Sequence, residues 1–151
     1  MGSKGHQEWC APNHLPCNNV SSYITAPGAY NIAETVPGSS TERITKLTGK
    51  INLIIGFDLI ERIGDKFYCS HVLVNSDGLI VVQREIHVSA HEGLFWLSGF
   101  SIDVFDVGEI RVGIKICRDS CFDEIARLLF SKRVELVLIP FTYNYVSLEQ
   151  Y

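Results

Sequence analysis

Hydrophobic and polar positions show little periodicity over residues 1–28, a stretch rich in Asn, Pro, Ser and Cys, so an irregular N-terminal segment is predicted there. From residue 39 the pattern becomes regular. Residues 41–47 read as a helix, and residues 51–57, 67–74 and 79–83 as strands. Asp77-Gly78 supplies a position tolerant of positive φ between the last two strands, which predicts a hairpin. Residues 102–107 and 110–116 read as two more strands flanking a second two-residue turn at Gly108-Glu109. Residues 122–132 place Phe122, Ile125, Leu128 and Leu129 on one helical face, and residues 134–139 form another short strand. Helices mixed with hairpins and a crossover predict an α/β (α+β) fold with a mixed sheet.

Composition narrows the class. At 151 residues, 46% hydrophobic and 20% charged, the chain has the make-up of a globular domain. A chain of this size removes about 70% of its unfolded surface from water. The net charge of −4 provides no basic footprint, so no nucleic-acid partner is expected. No apolar run reaches membrane-spanning length, and the start lacks the charged-then-apolar order of a secretory signal. The expectation is a cytoplasmic protein with no membrane partner. Five cysteines without regular spacing fit reduced thiols. Cys10, His14 and Cys17 are zinc-ligand residue types, but their irregular spacing reads as ordinary loop, and neither a metal nor a cofactor is expected. His71 and His91 have no evident partners in sequence, and Tyr143, Asn144 and Tyr145 follow a strand end, where pocket residues or a frayed terminus are found.

The candidate chemistry lies in Gly113-Ile114-Lys115-Ile116-Cys117-Arg118-Asp119-Ser120-Cys121-Phe122-Asp123-Glu124, which sets a cysteine between a strand and a helix. Ser120 is predicted to cap that helix, with Asp123 at the capping-box position, bringing the helix's positive end near the sulfur. Such a setting stabilises thiolate over thiol. From the residues alone, Cys117 is either a nucleophile or a buried structural cysteine. Cys121 stands four residues on, as a redox partner or a packed thiol.

This stretch resembles the nucleophile motif of the nitrilase, or carbon–nitrogen hydrolase, superfamily, Gly-x-x-Ile-Cys-Tyr-Asp-x-x-Phe-Pro-Glu. Gly113, Ile116, Cys117, Asp119, Phe122 and Glu124 match, while Arg118 replaces Tyr and Asp123 replaces Pro. The resemblance extends over residues 33–141 and implies a partial α-β-β-α nitrilase-like sandwich. Residues 29–151 then constitute an incomplete carbon–nitrogen hydrolase domain. It also implies a Glu-Lys-Cys triad that attacks an amide or nitrile carbon and passes through a thioester, with Cys117 at the nucleophile position. Arg118-Asp119 after the cysteine is similar to the amidase and carbamoylase branches rather than the nitrilase branch.

The family's lysine motif, Tyr-Arg-Lys-x-His-Leu, corresponds to Gln83-Arg84-Glu85-Ile86-His87-Val88, followed by Glu92, Phe95 and Gly99. That register puts Glu85 at the lysine position. A carboxylate there repels a developing oxyanion, and losing even one oxyanion donor costs on the order of 3 kcal/mol, so impaired turnover is expected. Arg84 and Arg118 are nearby cations, but a one-residue step along a strand turns a side chain to the opposite face. The family's catalytic glutamate corresponds to Glu8, and Glu92 to a supporting carboxylate. The sulfur of Cys117 is expected beside Glu92 and Glu85. Two functions follow: cysteine-dependent hydrolysis of a small amide or carbamoyl compound, or a non-catalytic fragment or pseudoenzyme serving as a binding or oligomerisation module. A homo-oligomer is expected in either case, because a sandwich lacking strands leaves unpaired edges.

Overall fold

The structure is a computed structural model and describes residues 28–90 and 92–141. Glu8, Cys10, His14, Cys17, His91, Tyr143, Asn144 and Tyr145 lie outside the described residues. Helices α1 (Ala29–Ile32) and α2 (Ser39–Ile51) precede strands β1 (Ile55–Ile63), β2 (Lys66–Asn75) and β3 (Gly78–Arg84). Strands β4 (Val104–Val107) and β5 (Ile110–Ile114) follow, then helix α3 (Asp123–Ser131) and strand β6 (Leu136–Leu138). Short 3₁₀ turns lie at Glu92–Leu94 and Cys117–Cys121.

Strands β1 to β3 form an antiparallel meander, and β4 to β6 a second sheet in which β6 runs parallel to β5. Alternation along the strands decides which residues each face buries. Phe57, Leu59, Val72 and Val74 face α2 and pack with Val36 and Ile44. Cys69 and Leu73, from the opposite face of β2, meet Val107, Val112, Ile114 and Ile116 of the second sheet. Ile125 and Leu129 of α3 cover the outer side of that sheet with Ile102, Val104 and Val134. The order is therefore helix, sheet, sheet, helix. A side chain at Gly113 would collide with Leu129, its Cβ only 2.5 Å from Cδ2, so glycine lets α3 lie close on β5.

The largest departures from the apolar pattern lie at α2 and β1, while β4, β5 and β6 are each shorter than the pattern predicts. Helix α2 extends to Ile51, and Asn52 ends it in the left-handed conformation (φ 50°), donating its N–H to Thr48 O at 2.8 Å. Strand β1 therefore starts later and runs on through Asp58 and Glu61, polar residues that mask its apolar pattern. Leu128, placed on the buried face of α3 by spacing, is 42% exposed.

Candidate active site

Strand β5 leads through Lys115 and Ile116 into Cys117. Lys115 N–H donates to Leu138 O at 2.9 Å and Cys117 N–H to Pro140 O at 2.8 Å, so the pairing seen between β5 and β6 continues to the cysteine. Cys117 has φ +43°, a left-handed conformation uncommon outside glycine and one that clusters at functional turns. The turn is held from both sides: Ile116 N–H donates to the Asp119 carboxylate at 3.2 Å, and Asp119 N–H returns to Ile116 O at 2.8 Å. Ser120 donates its hydroxyl to Cys117 O at 2.6 Å. Ser120 is thus committed inside the 3₁₀ turn and does not cap α3, which begins after Phe122 without a side-chain cap. The inserted turn displaces the helix start beyond the reach of Ser120. Buried Lys115, a residue without a signal in the motif, closes the same turn from Nζ to Ser120 O at 3.4 Å.

Asp119 ties this turn to the segment after β3. Its fully buried carboxylate accepts N–H bonds from Ile86 at 3.2 Å and His87 at 2.8 Å, and from His87 Nδ1 at 3.0 Å. The His87 ring also stacks on Phe122, centroid to centroid 3.7 Å with planes 11° apart. Glu85 is fixed by its own backbone, donating to Cys69 O at 2.9 Å and accepting from Gly99 N–H at 2.7 Å. This approach needs glycine at residue 99, where a Cβ would lie 2.8 Å from Arg84 O.

The Glu85 side chain is 2% exposed, and Oε1 has no hydrogen-bond partner among the described residues. Burial, then the charges of Glu92, Cys117 and Asp119, push its carboxyl up to about 9, against a hydrogen bond from the Arg118 N–H that favours the ionised form. At neutral pH Glu85 is therefore a neutral acid, not the repelling charge its residue type suggests. Those same interactions place Glu85 in one electrostatic neighbourhood with Glu92 and Cys117. Glu92 accepts the Ser89 hydroxyl on Oε2 at 2.6 Å and donates its own N–H to Ser89 Oγ at 3.3 Å, a reciprocal cap that sets the carboxylate on its 3₁₀ turn. Cys69 joins the cluster from β2; burial, then Glu85 and Asp58, pushes its thiol up.

The neighbouring cations do not serve this cluster. Arg84 lies on the opposite face of β3 and clasps Glu61 through two bonds of 2.7 Å, while the Arg118 side chain is exposed. His71 pairs with Asp58 through Nδ1 at 2.8 Å, directly across the β1–β2 register. Cys69, Cys117 and Cys121 form no disulfide. No group of three or more His, Cys, Asp or Glu suited to a metal occurs among the described residues. Nor is any helix there long and apolar enough to cross a membrane. The motif pointed to Cys117, Glu85 and Glu92. The roles of Asp119 as the joining acceptor and of Cys69 had a signal only in the Cys-x-Asp spacing and in nothing, respectively.

The profile of the carbon–nitrogen hydrolase family matches residues 16–150. Omega-amidase NIT2-B of Xenopus laevis is 31% identical over 123 residues, covering 74% of this chain and 45% of the relative. A nitrilase of Pyrococcus abyssi is 31% identical over 121 residues, covering 79% and 46%. The chain thus spans about half the length of the curated relatives it matches. The crystal structure of Saccharomyces cerevisiae Nit3, a member of branch 10 of the nitrilase superfamily, superposes with TM-score 0.77 at 25% identity, covering 90% of this chain and 52% of that one. With its two facing sheets between helices and its cysteine turn in the motif register, the chain belongs to the carbon–nitrogen hydrolase family.

Proposed function

We propose that this chain carries the nucleophile half of a cysteine-dependent amidase acting on a small amide or carbamoyl compound. The observation that carries the reading is the left-handed Cys117 turn, bound through Asp119 to the segment that bears Glu85 and leads to Glu92. The omega-amidase name of one relative supports an amide substrate. Cys117 Sγ adds to the acyl carbon, its proton passing to a carboxylate, and the carbonyl π pair moves to oxygen. Collapse breaks the C–N bond as the carboxylate returns that proton to the departing nitrogen. Water then attacks the thioester by the same route and releases the acid. Among the described residues, Glu92, which acts with Cys117 on the Glu85 carboxyl, is the carboxylate we assign to the proton transfers; the resemblance assigns this work to Glu8. Exposed apolar side chains at Phe100 (86%), Phe130 (83%) and Leu94 (73%) support self-association of the chain.

The test is mass spectrometry of the intact chain after exposure to an activated acyl ester. A single acyl adduct on Cys117, absent from Cys117→Ala, is the expected result. An unmodified Cys117 that also resists chloroacetamide would instead favour a non-catalytic binding or oligomerisation module.

A further inference from the structure

Most of the buried polar groups near the cysteine turn have partners that account for them. Asp119 is saturated by four N–H donors, Glu92 is clasped by Ser89, and Lys115 is engaged with Ser120. Glu85 differs. Its carboxyl is buried to 2% exposure in the same cluster as Cys117, forms no ion pair among the described residues, and leaves Oε1 without a partner. A buried polar atom left unsatisfied costs roughly 1–3 kcal/mol, so a native structure that keeps one calls for a reason, and a ligand atom is such a reason.

We propose that Glu85, as the neutral carboxylic acid, donates its O–H to the oxyanion formed when Cys117 adds to the acyl carbon, and so supplies the electrostatic support for which a cation is expected at this position. The inference rests on the amidase reading above. The geometry is consistent throughout the neighbourhood. Asp119 takes the Ile86 and His87 N–H groups at 3.2 and 2.8 Å, which brings the cysteine turn against the Glu85 segment, and Glu85 N–H donates to Cys69 O of β2 at 2.9 Å; Glu92, Cys117 and Asp119 oppose ionisation of the carboxyl, while the Arg118 N–H favours it. The high proton affinity this gives the carboxyl keeps the donor loaded at neutral pH. A carboxylic acid held neutral by an apolar, acid-lined site is a strong donor to a developing negative charge, because it arrives without a desolvated charge of its own. Proton bookkeeping is simple. As the Sγ–C bond forms, the carbonyl π pair moves to oxygen and the thiol proton goes to the Glu92 carboxylate. Glu85 shares its proton with the oxyanion without surrendering it, and regains it undivided when the C=O bond reforms and the C–N bond breaks.

Two chemistries on the same thiol separate this role from the reading it rests on. Chloroacetamide alkylates sulfur by direct displacement and forms no oxyanion, whereas a p-nitrophenyl ester acylates through one. In the full chain, Glu85→Ala is expected to lower the Cys117 acylation rate about 10²- to 10³-fold while leaving alkylation within about threefold. Glu85→Gln retains an N–H donor of nearly the same shape and is expected to keep acylation within about tenfold of the parent at neutral pH. The ratio of parent to Glu85→Gln should then fall as pH rises through about 9, where the parent loses its donor. Infrared difference spectra between neutral and strongly basic pH should show the loss of a protonated-carboxyl stretch in the parent and not in Glu85→Gln. Acylation unchanged in both variants, or no such carboxyl band, overturns the role of Glu85 alone. A parent chain in which Cys117 is neither alkylated nor acylated overturns the amidase reading and the inference with it.

Discussion

Two glutamates buried to similar depth stand on opposite faces of the first sheet, and they have been solved in opposite ways. Glu61, 3% exposed, is clasped by Arg84 through two bonds of 2.7 Å and accepts the Ser70 hydroxyl at 2.7 Å. Glu85, 2% exposed and next to Arg84 in sequence, has no cation partner and one unpartnered oxygen among the described residues. The strand pleat makes the difference: residue 84 faces α2 and residue 85 faces the second sheet. Burial alone therefore says little about a carboxyl. A glutamate whose lone pairs and charge are all answered is structural, whereas one that is kept neutral and left incomplete beside a thiol is available for chemistry.

The largest expected effect on this contrast comes from the satisfied cluster. Arg84→Met leaves Glu61 as an uncompensated buried charge and should destabilise the fold by about 3 kcal/mol or more, read as a lowered denaturant midpoint. Cys117 alkylation by chloroacetamide should be unaffected wherever that variant remains folded. A loss of alkylation in the folded variant would show that the two faces are coupled and the division between them false.

The unsatisfied member of the pair is tested by the pH dependence of stability set by Glu85. Its folded-state proton affinity lies above the unfolded value of 4.5, so the folded chain binds the extra proton between that value and about 9. The stability it contributes is therefore fully present below 4.5 and is lost as pH rises through about 9. Over that window the slope approaches about 1.4 kcal/mol per pH unit. Urea melts of Glu85→Gln against the parent should show this decline removed. Equal slopes would mean that Glu85 ionises in the folded chain as it does in the unfolded one.

The smallest effect belongs to the joint between the turns. Asp119→Asn keeps acceptors for some of the Ile86, His87 and Ile116 N–H groups and puts an amide against the rest, which should destabilise by roughly 1–3 kcal/mol. Because the same carboxylate sets both the Cys117 turn and the Glu85 segment, acylation should fall more than alkylation. A variant that melts lower yet acylates at the parental rate would restrict Asp119 to holding the fold.

Motif and periodicity together found much of this. The cysteine between strand and helix, the hairpin at Asp77-Gly78 and the helix after Phe122 are all local features. Each depends on residues close in sequence, so the alternation and turn chemistry announce them. Boundaries were less legible where a polar residue is satisfied from afar. Strand β1 continues through Asp58 and Glu61 because His71 and Arg84 wait across the sheet, and no periodicity records a partner 13 or 23 residues away.

What the sequence determined by itself is therefore the strands and the two longer helices, the family register and the choice of Cys117, Glu85 and Glu92 as residues of interest; helix α1 and the two 3₁₀ turns were not read from it. Only the tertiary structure decided what Glu85 is. In sequence it is a charged side chain at a position where a cation is expected. In the folded chain, lost solvation and the neighbouring Glu92, Cys117 and Asp119 hold it neutral. Charge state is a property of surroundings, and these surroundings come from two separate turns that meet Glu85 only when the two sheets close.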